Sequence, residues 1–239
     1  LSRFGGKGVL NVIDNINNEI NKNLVGLTPF DQRKIDRILI DLDGSNNKSR
    51  LGANAILGVS LAVARAASLY KNSNLFYYLN KRSEYILPTP LMNIINGGAH
   101  ANNALDFQEI MIMPVGAETF SEALRWGSEI FQELKKILSD KGYSTSVGDE
   151  GGFSPEIKDV YDALSLVSKA IKNAGRNLED EVKLAIDAAS SEFFKNGNYI
   201  IDSGDKKLDT SEMIKYWETL VNDYPIISIE DPLDENDYE

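Results

Sequence analysis

Two apolar runs in the second half of the chain end on a carboxylate: "VKLAID" (182–187) stops at Asp187 and "PIISIED" (225–231) carries Glu230. A strand that is apolar along its whole length needs cover on both faces, which is the habit of parallel sheets flanked by helices. Two more such runs precede them, "LMNII" (91–95) and "EIMIM" (109–113), and amphipathic helices are predicted near 119–140, 158–174 and 210–222. A Thr119/Glu122 pair has the spacing of a capping box, and Gly175 and Pro225 close the later helices. The pattern predicts an α/β fold with a parallel sheet. Acids where strands end are typical of the active face of a βα-barrel or an open α/β sheet. A small hairpin is predicted over "NGNYIIDSGDKKLD" (196–209).

Carboxylates brought to one sheet edge repel each other unless they are protonated or share a cation. Hard oxygen donors favour Mg2+ over softer metals. Each acid taken alone has a simpler reading, as the cap of the next helix or the partner of an Arg. With 25 basic and 36 acidic residues, the net charge of −11 opposes binding to nucleic acid or anionic membranes. An anionic substrate would therefore need local cations. The absence of cysteine excludes disulfides and thiolate chemistry and suits a reducing compartment.

The first third reads as helices. Val9, Ile13, Ile16, Ile20 and Leu24 recur at helical spacing. In "LTPFDQRKIDRILIDLDG", Thr28 is the predicted N-cap, Pro29 the first helical residue and Gly44 the residue past the end. An Ala-rich helix is predicted over 51–71. Its charge-free part stops at Arg65, too short to span a bilayer, so it reads as a buried core helix. A short helix follows at Leu75–Leu79, and Pro88 and Pro90 mark a change of texture, so the domains are drawn as 1–83 and 84–239. The opening Leu1-Ser2-Arg3 and the closing "DPLDENDYE" read as cut ends of a longer protein.

Two loops hold polar groups beside these runs. "SVGDEGGFSP" (146–155) sets Asp149 and Glu150 before a Gly-Gly pair, which a solvated turn would also explain. "NIINGGAHANNALDFQEIMIMP" (93–114) carries His100, the chain's one histidine, and Gln108 and Glu109 open the run after it. A lone His is more often structural than catalytic, but a Gly/Asn/Ala loop next to a strand end is a place from which it can reach a ligand.

In this order, "NGGAHANNALDFQEIMIMPVGA", "VGDEGGFSPEI", "AIDAASSEFF" and "PIISIEDPLDENDY" resemble the enolase family, as do "DLDGSNNKSRLGANAILGVSLAVARAA" and "YILPTPLMNIINGG" before them. The resemblance implies an incomplete N-terminal α+β domain over 1–83. Over 84–239 it implies about half of a TIM-like barrel whose early strands depart from pure βα order. It also implies the glycolytic dehydration of 2-phosphoglycerate to phosphoenolpyruvate with two Mg2+ ions per site, a small phosphorylated substrate, a homodimer and a cytoplasmic setting. On matching positions it implies Asp187 and Glu230 as metal ligands, with Glu230 also near substrate. Glu150 matches the acid for the departing hydroxyl, Glu109 a second carboxylate beside it, Gln108 a substrate contact and His100 a closing-loop residue. Glu150 must be protonated when it acts, which crowding by Glu109 would favour, and the glycines of "DEGG" should let the backbone crowd the substrate. By the same resemblance the base Lys, a third metal ligand and the phosphate-binding groups lie past Glu239, so the 239 residues alone are expected to be inactive. Other readings are a related enzyme acting on a different carboxylate, and a non-catalytic enolase-like binding or structural protein.

Overall fold

In a computed structural model the protein is described over residues 3–80, 82, 84–148, 150–157 and 159–238. It divides into two units, Leu1–Ile86 and Leu87–Glu239, where the sequence boundary was drawn at 83/84. The first unit is helical: α1 (Leu10–Asp14) runs through a π-helical stretch, Asn15–Ile20, into α2 (Asn21–Leu24), followed by α3 (Gln32–Asp43), α4 (Ala53–Tyr70) and α5 (Leu75–Leu79). Ile20, Ile35, Leu39, Leu51 and Ala55 form its small core. The cap of α3 differs from expectation. Asp31, not Thr28, accepts the Lys34 N–H at 3.1 Å, because Pro29 and Phe30 form a turn and the anionic cap sits next to the first helical turn. Gly44 closes α3 in the left-handed region, at φ 70°.

The expectation of a buried core helix over 51–71 is also corrected. Only Ala55, Ala64, Ala67 and Ser68 of α4 are buried, while Leu57, Leu61 and Leu69 are more than half exposed. Within its unit α4 has α3, α5 and the first helical stretch as neighbours. By length and composition alone, α4 is apolar enough to cross a membrane.

The second unit carries seven strands among the described residues. They are β1 (Met92–Asn96), β2 (Glu109–Met113), β3 (Lys183–Asp187), the short β4 (Phe194–Lys195), β5 (Asn198–Ile201) and β6 (Lys206–Leu208), and last β7 (Ile226–Glu230). The main sheet has the order β1-β2-β3-β7, and β4, β5 and β6 form a separate antiparallel sheet where one hairpin was predicted. The sheet is not closed into a barrel and not wholly parallel. β1/β2 and β2/β3 are antiparallel, and only β3/β7 is parallel. Connection length explains this. Between β2 and β3 lie two helices packed on each other, α6 (Phe120–Asp140) and α7 (Val160–Asn173). Two traverses return the chain to the end it left, so β3 reverses β2; α8 (Thr210–Asp223), a single traverse, makes β7 parallel to β3.

Caps follow the sequence. Thr119 accepts from Glu122 N at 3.1 Å, but the Glu122 carboxylate turns to Arg125, so only half the capping box forms. The full box is at Asp209/Glu212 on α8. One core joins the inner faces of the helices to the sheet: Ile110, Ile112, Leu184 and Ile186 meet Ile130, Leu134, Leu164 and Val167. β7 lies at the sheet edge, and Ile227 is half exposed rather than buried.

Candidate active site

The strand directions bring four polar residues to one edge. Asn96 ends β1, Glu109 starts β2, and Asp187 and Glu230 end β3 and β7; they pair in register as Asn96↔Glu109, Glu109↔Asp187 and Asp187↔Glu230. Partners directly opposite in a ladder project to the same face. Three carboxylates therefore stand in a row across three strands.

Two loops cover that row. The 97–108 loop is closed at its base by Gly97 N donating to Gln108 O (2.9 Å) and Gly98 N to Leu105 O (2.7 Å). A Cβ at Gly97 would lie 2.4 Å from the Phe107 carbonyl, so the closure requires glycine. His100 projects from this loop with Nδ1 3.2 Å from Glu150 Oε1 and 3.7 Å from Glu109 Oε1. The 146–155 loop is tied to β1, Phe153 N donating to Ile94 O (2.9 Å) and Asn96 N to Phe153 O (2.8 Å), with Phe153 stacked on Phe131 at 4.1 Å. Asp149 lies outside the described residues.

The two glycines of this loop have different surroundings. A Cβ on Gly152 would stand 2.5 Å from Asn96 Oδ1, 2.8 Å from Asn93 Oδ1 and 3.0 Å from the Ile94 carbonyl carbon. At Gly152 the loop comes up against β1. Gly151, at φ 86°, has open space around it and makes the turn.

The electrostatics follow from burial. Glu109 has 13% of its side chain exposed against 42% for Glu150. Burial first, then the hydrogen bond to Glu150 and the charges of Glu150, Asp187 and Glu230, push the Glu109 carboxyl up to about 8. Glu150 moves the other way, held below its usual value by the hydrogen bond to Glu109 and by His100. At rest the pair thus holds its proton on Glu109, because water supports the charge of the more exposed member. Burial raises Asp187, and the charge of Asp187 raises Glu230.

Among the described residues, no ion pair of Lys or Arg involves these four acids. Asp187 accepts from Gln108 Nε2 (3.2 Å) and Ala189 N (3.0 Å), which orients it without neutralising it. Adjacent, like-charged oxygen donors with raised affinity for protons fit a hard divalent cation. A second grouping, His100, Glu109 and Glu150, has one donor atom from each within 4.8 Å of the others and could also hold a metal ion. The sequence reading thus finds its six site residues, Gln108 included, around one sheet edge.

Sequence reasoning missed Asn93 and Asn96, whose carboxamide groups are buried against Gly152. A register shift between Asn93 and Ile95 turns both amides toward Gly152. The available signal was the pair of amides three apart in "NIIN", one inside and one just past the run 91–95 that was treated as apolar. A family model described as "Enolase, N-terminal domain" matches residues 1–79, and one described as "Enolase, C-terminal TIM barrel domain" matches residues 84–239.

Proposed function

We propose, from the premise that the chain belongs to the enolase family, that it carries part of the site for Mg2+-dependent dehydration of 2-phosphoglycerate to phosphoenolpyruvate. The observation that carries this reading is the in-register row Glu109, Asp187, Glu230 with Glu150 and His100 set over it. Asp187 and Glu230 would hold the metal, and Gln108 orients Asp187 through its amide. When bound, the metal draws negative charge from the substrate carboxylate, which eases loss of the C2 proton.

The other half of the reaction belongs to the carboxyl pair. Breaking the C3–O bond releases hydroxide unless a proton arrives with it. Glu109 holds that proton at rest, and its hydrogen bond to Glu150 is the route by which Glu150 becomes the donor. C2 and C3 are left joined by a double bond, and the hydroxyl leaves as water. His100 faces both carboxylates and favours the ionised form of Glu150.

The C2 proton needs a base, and no Lys pairs with these acids among the described residues, so the 239 residues alone should show no turnover. The same reading carries a cytoplasmic homodimer acting on a small phosphorylated acid. The test is conversion of 2-phosphoglycerate by the complete enzyme that contains this chain, with and without chelator. Turnover that survives exhaustive chelation overturns the proposal. Glu150→Gln should abolish dehydration while sparing exchange of the C2 proton with solvent.

A further inference from the structure

We propose that the turn Asp202–Gly204 of the small sheet is a clasp that positions His100, with Ser203 and Asp106 as its positioning residues. The inference rests on the functional reading above for the importance of His100, and on contacts of its own for the clasp.

The loop that bears His100, "GGAHANNA", is built of glycine, alanine and short polar residues, which give it little packing of its own. Its shape must come from anchors. On one side Asn103 donates to Asn96 O (3.0 Å) and Pro155 O (2.9 Å). On the other side stands a segment almost a hundred residues away in sequence. Ser203 N donates to Asp106 Oδ2 and Ser203 Oγ to the Ala104 carbonyl, both at 3.2 Å. These contacts grip the two neighbours of Leu105, whose carbonyl receives Gly98 N at 2.7 Å. From Gly98 the loop passes straight to His100, whose own N–H returns to Gly97 O at 3.0 Å. Phe107, next in line, is stacked on Trp217 at 4.9 Å, so the base of the loop cannot slide.

The clasp itself is held in an unusual backbone. Asp202 and Ser203 both have positive φ, 54° and 57°, before Gly204 at 95°. Side chains rarely adopt this region, and runs of such residues persist where the surroundings over-determine them. Here the surroundings are Asp106, Ala104 and Lys206, which pairs with Asp202 at 2.7 Å. Asp106 is partly buried, and its carboxylate accepts from Ser203 N.

His100 is the chain's one histidine, so its imidazole reports without interference. The experiment compares Asp106→Ala, Asp106→Asn and Ser203→Gly in this chain at one pH. It follows the rate at which diethyl pyrocarbonate modifies the imidazole, the imidazole NMR signals and the thermal midpoint. Asp106→Ala and Ser203→Gly should each speed modification about five-fold, the shift that loss of one ordinary hydrogen bond gives, and move the signals. Asp106→Asn keeps an acceptor for Ser203 N–H and should restore the parent rate. Ser203→Gly relieves the positive φ, so its midpoint should hold or rise while His100 loosens, a pairing that a purely structural role does not produce. Unchanged rates and signals in Ser203→Gly overturn the clasp, as does a change that follows the midpoint alone. None of these readouts needs turnover, so failure of the dehydration reading and failure of the clasp are seen separately.

Discussion

Replacing Gly152 with alanine tests whether the glycine pair is there for packing against β1. The added methyl would meet Asn96 Oδ1 at 2.5 Å, Asn93 Oδ1 at 2.8 Å and the Ile94 carbonyl carbon at 3.0 Å. The amides can swing, but the Ile94 backbone cannot, because its carbonyl receives Phe153 N and it lies inside the sheet. If the loop stays in place, overpacking costs about 1–3 kcal/mol. If it lifts instead, the Phe153–Ile94 and Asn96–Phe153 hydrogen bonds are lost, at about 1 kcal/mol each. Both routes converge on about 2 kcal/mol, a fall in melting midpoint of roughly 4–8 °C for a domain of this size. Lifting the loop also withdraws Glu150 from His100, so the imidazole NMR signals should shift in parallel. The control is Gly151, where the obstacle is φ 86° and not space. Asn, which tolerates the left-handed region, should be accepted better than Ala at 151, whereas no side chain should be accepted at 152. A Gly152→Ala protein that melts within about 0.5 kcal/mol of the parent, with His100 signals unmoved, would refute the packing argument.

Other outcomes follow from burial and charge. Phe153→Ala should destabilise by about 3–5 kcal/mol by chemical denaturation, since the ring is 1% exposed and stacked on Phe131; a loss under 1 kcal/mol would mean the loop is not anchored there. The raised Glu109 carboxyl gives a signed pH dependence in metal-free protein. Its contribution to stability is fully present below about 4.5 and is lost as pH rises through about 8. Glu109→Gln, which cannot ionise, should therefore gain in melting midpoint relative to the parent between those pH values, and a constant difference would contradict the assignment. Asp187→Asn and Glu230→Gln should weaken Mg2+ binding by calorimetry while leaving the metal-free midpoint equal or higher, because each removes a like charge from the row; unaltered Mg2+ affinity would take both residues out of the metal site.

The candidate site was more legible in the sequence than the sheet that builds it. Chemistry is written locally: Glu230 follows an apolar run, Glu150 precedes a Gly pair, and His100 stands alone in a loop of small residues. Strand direction is not local. "EIMIM" reads the same whether it runs up or down, and its reversal depends on how many helices cross between it and "VKLAID". The Asp31 cap was misread because Thr28-Pro29 carries an equally good local signal, and the turn that overrides it is a matter of three residues. The location of the shared proton was also out of reach, since it follows from the difference in exposure between Glu109 and Glu150, which arises only when the loops close over β2. Gly152 was noticed for its freedom, while its reason is a contact with Asn96, more than fifty residues earlier.

Because β2 leaves the acid row while β3 and β7 run up to it, the row is measured from opposite ends of the chain's path. Glu109 is the first residue of its strand, so extra residues added after it, in the 114–119 connection or in the lengths of α6 and α7, accumulate at the far edge or on the outside. The same additions inside "KLAID" or "IISIE" would push Asp187 or Glu230 out of line. Lengthening the two helices between β2 and β3 should therefore have little consequence for the site, whereas insertions in β3 and β7 should disrupt it. A variant library that varies length in each segment would read this asymmetry directly: survivors should cluster in the helix pair and its outer turn, and be absent from the two strands.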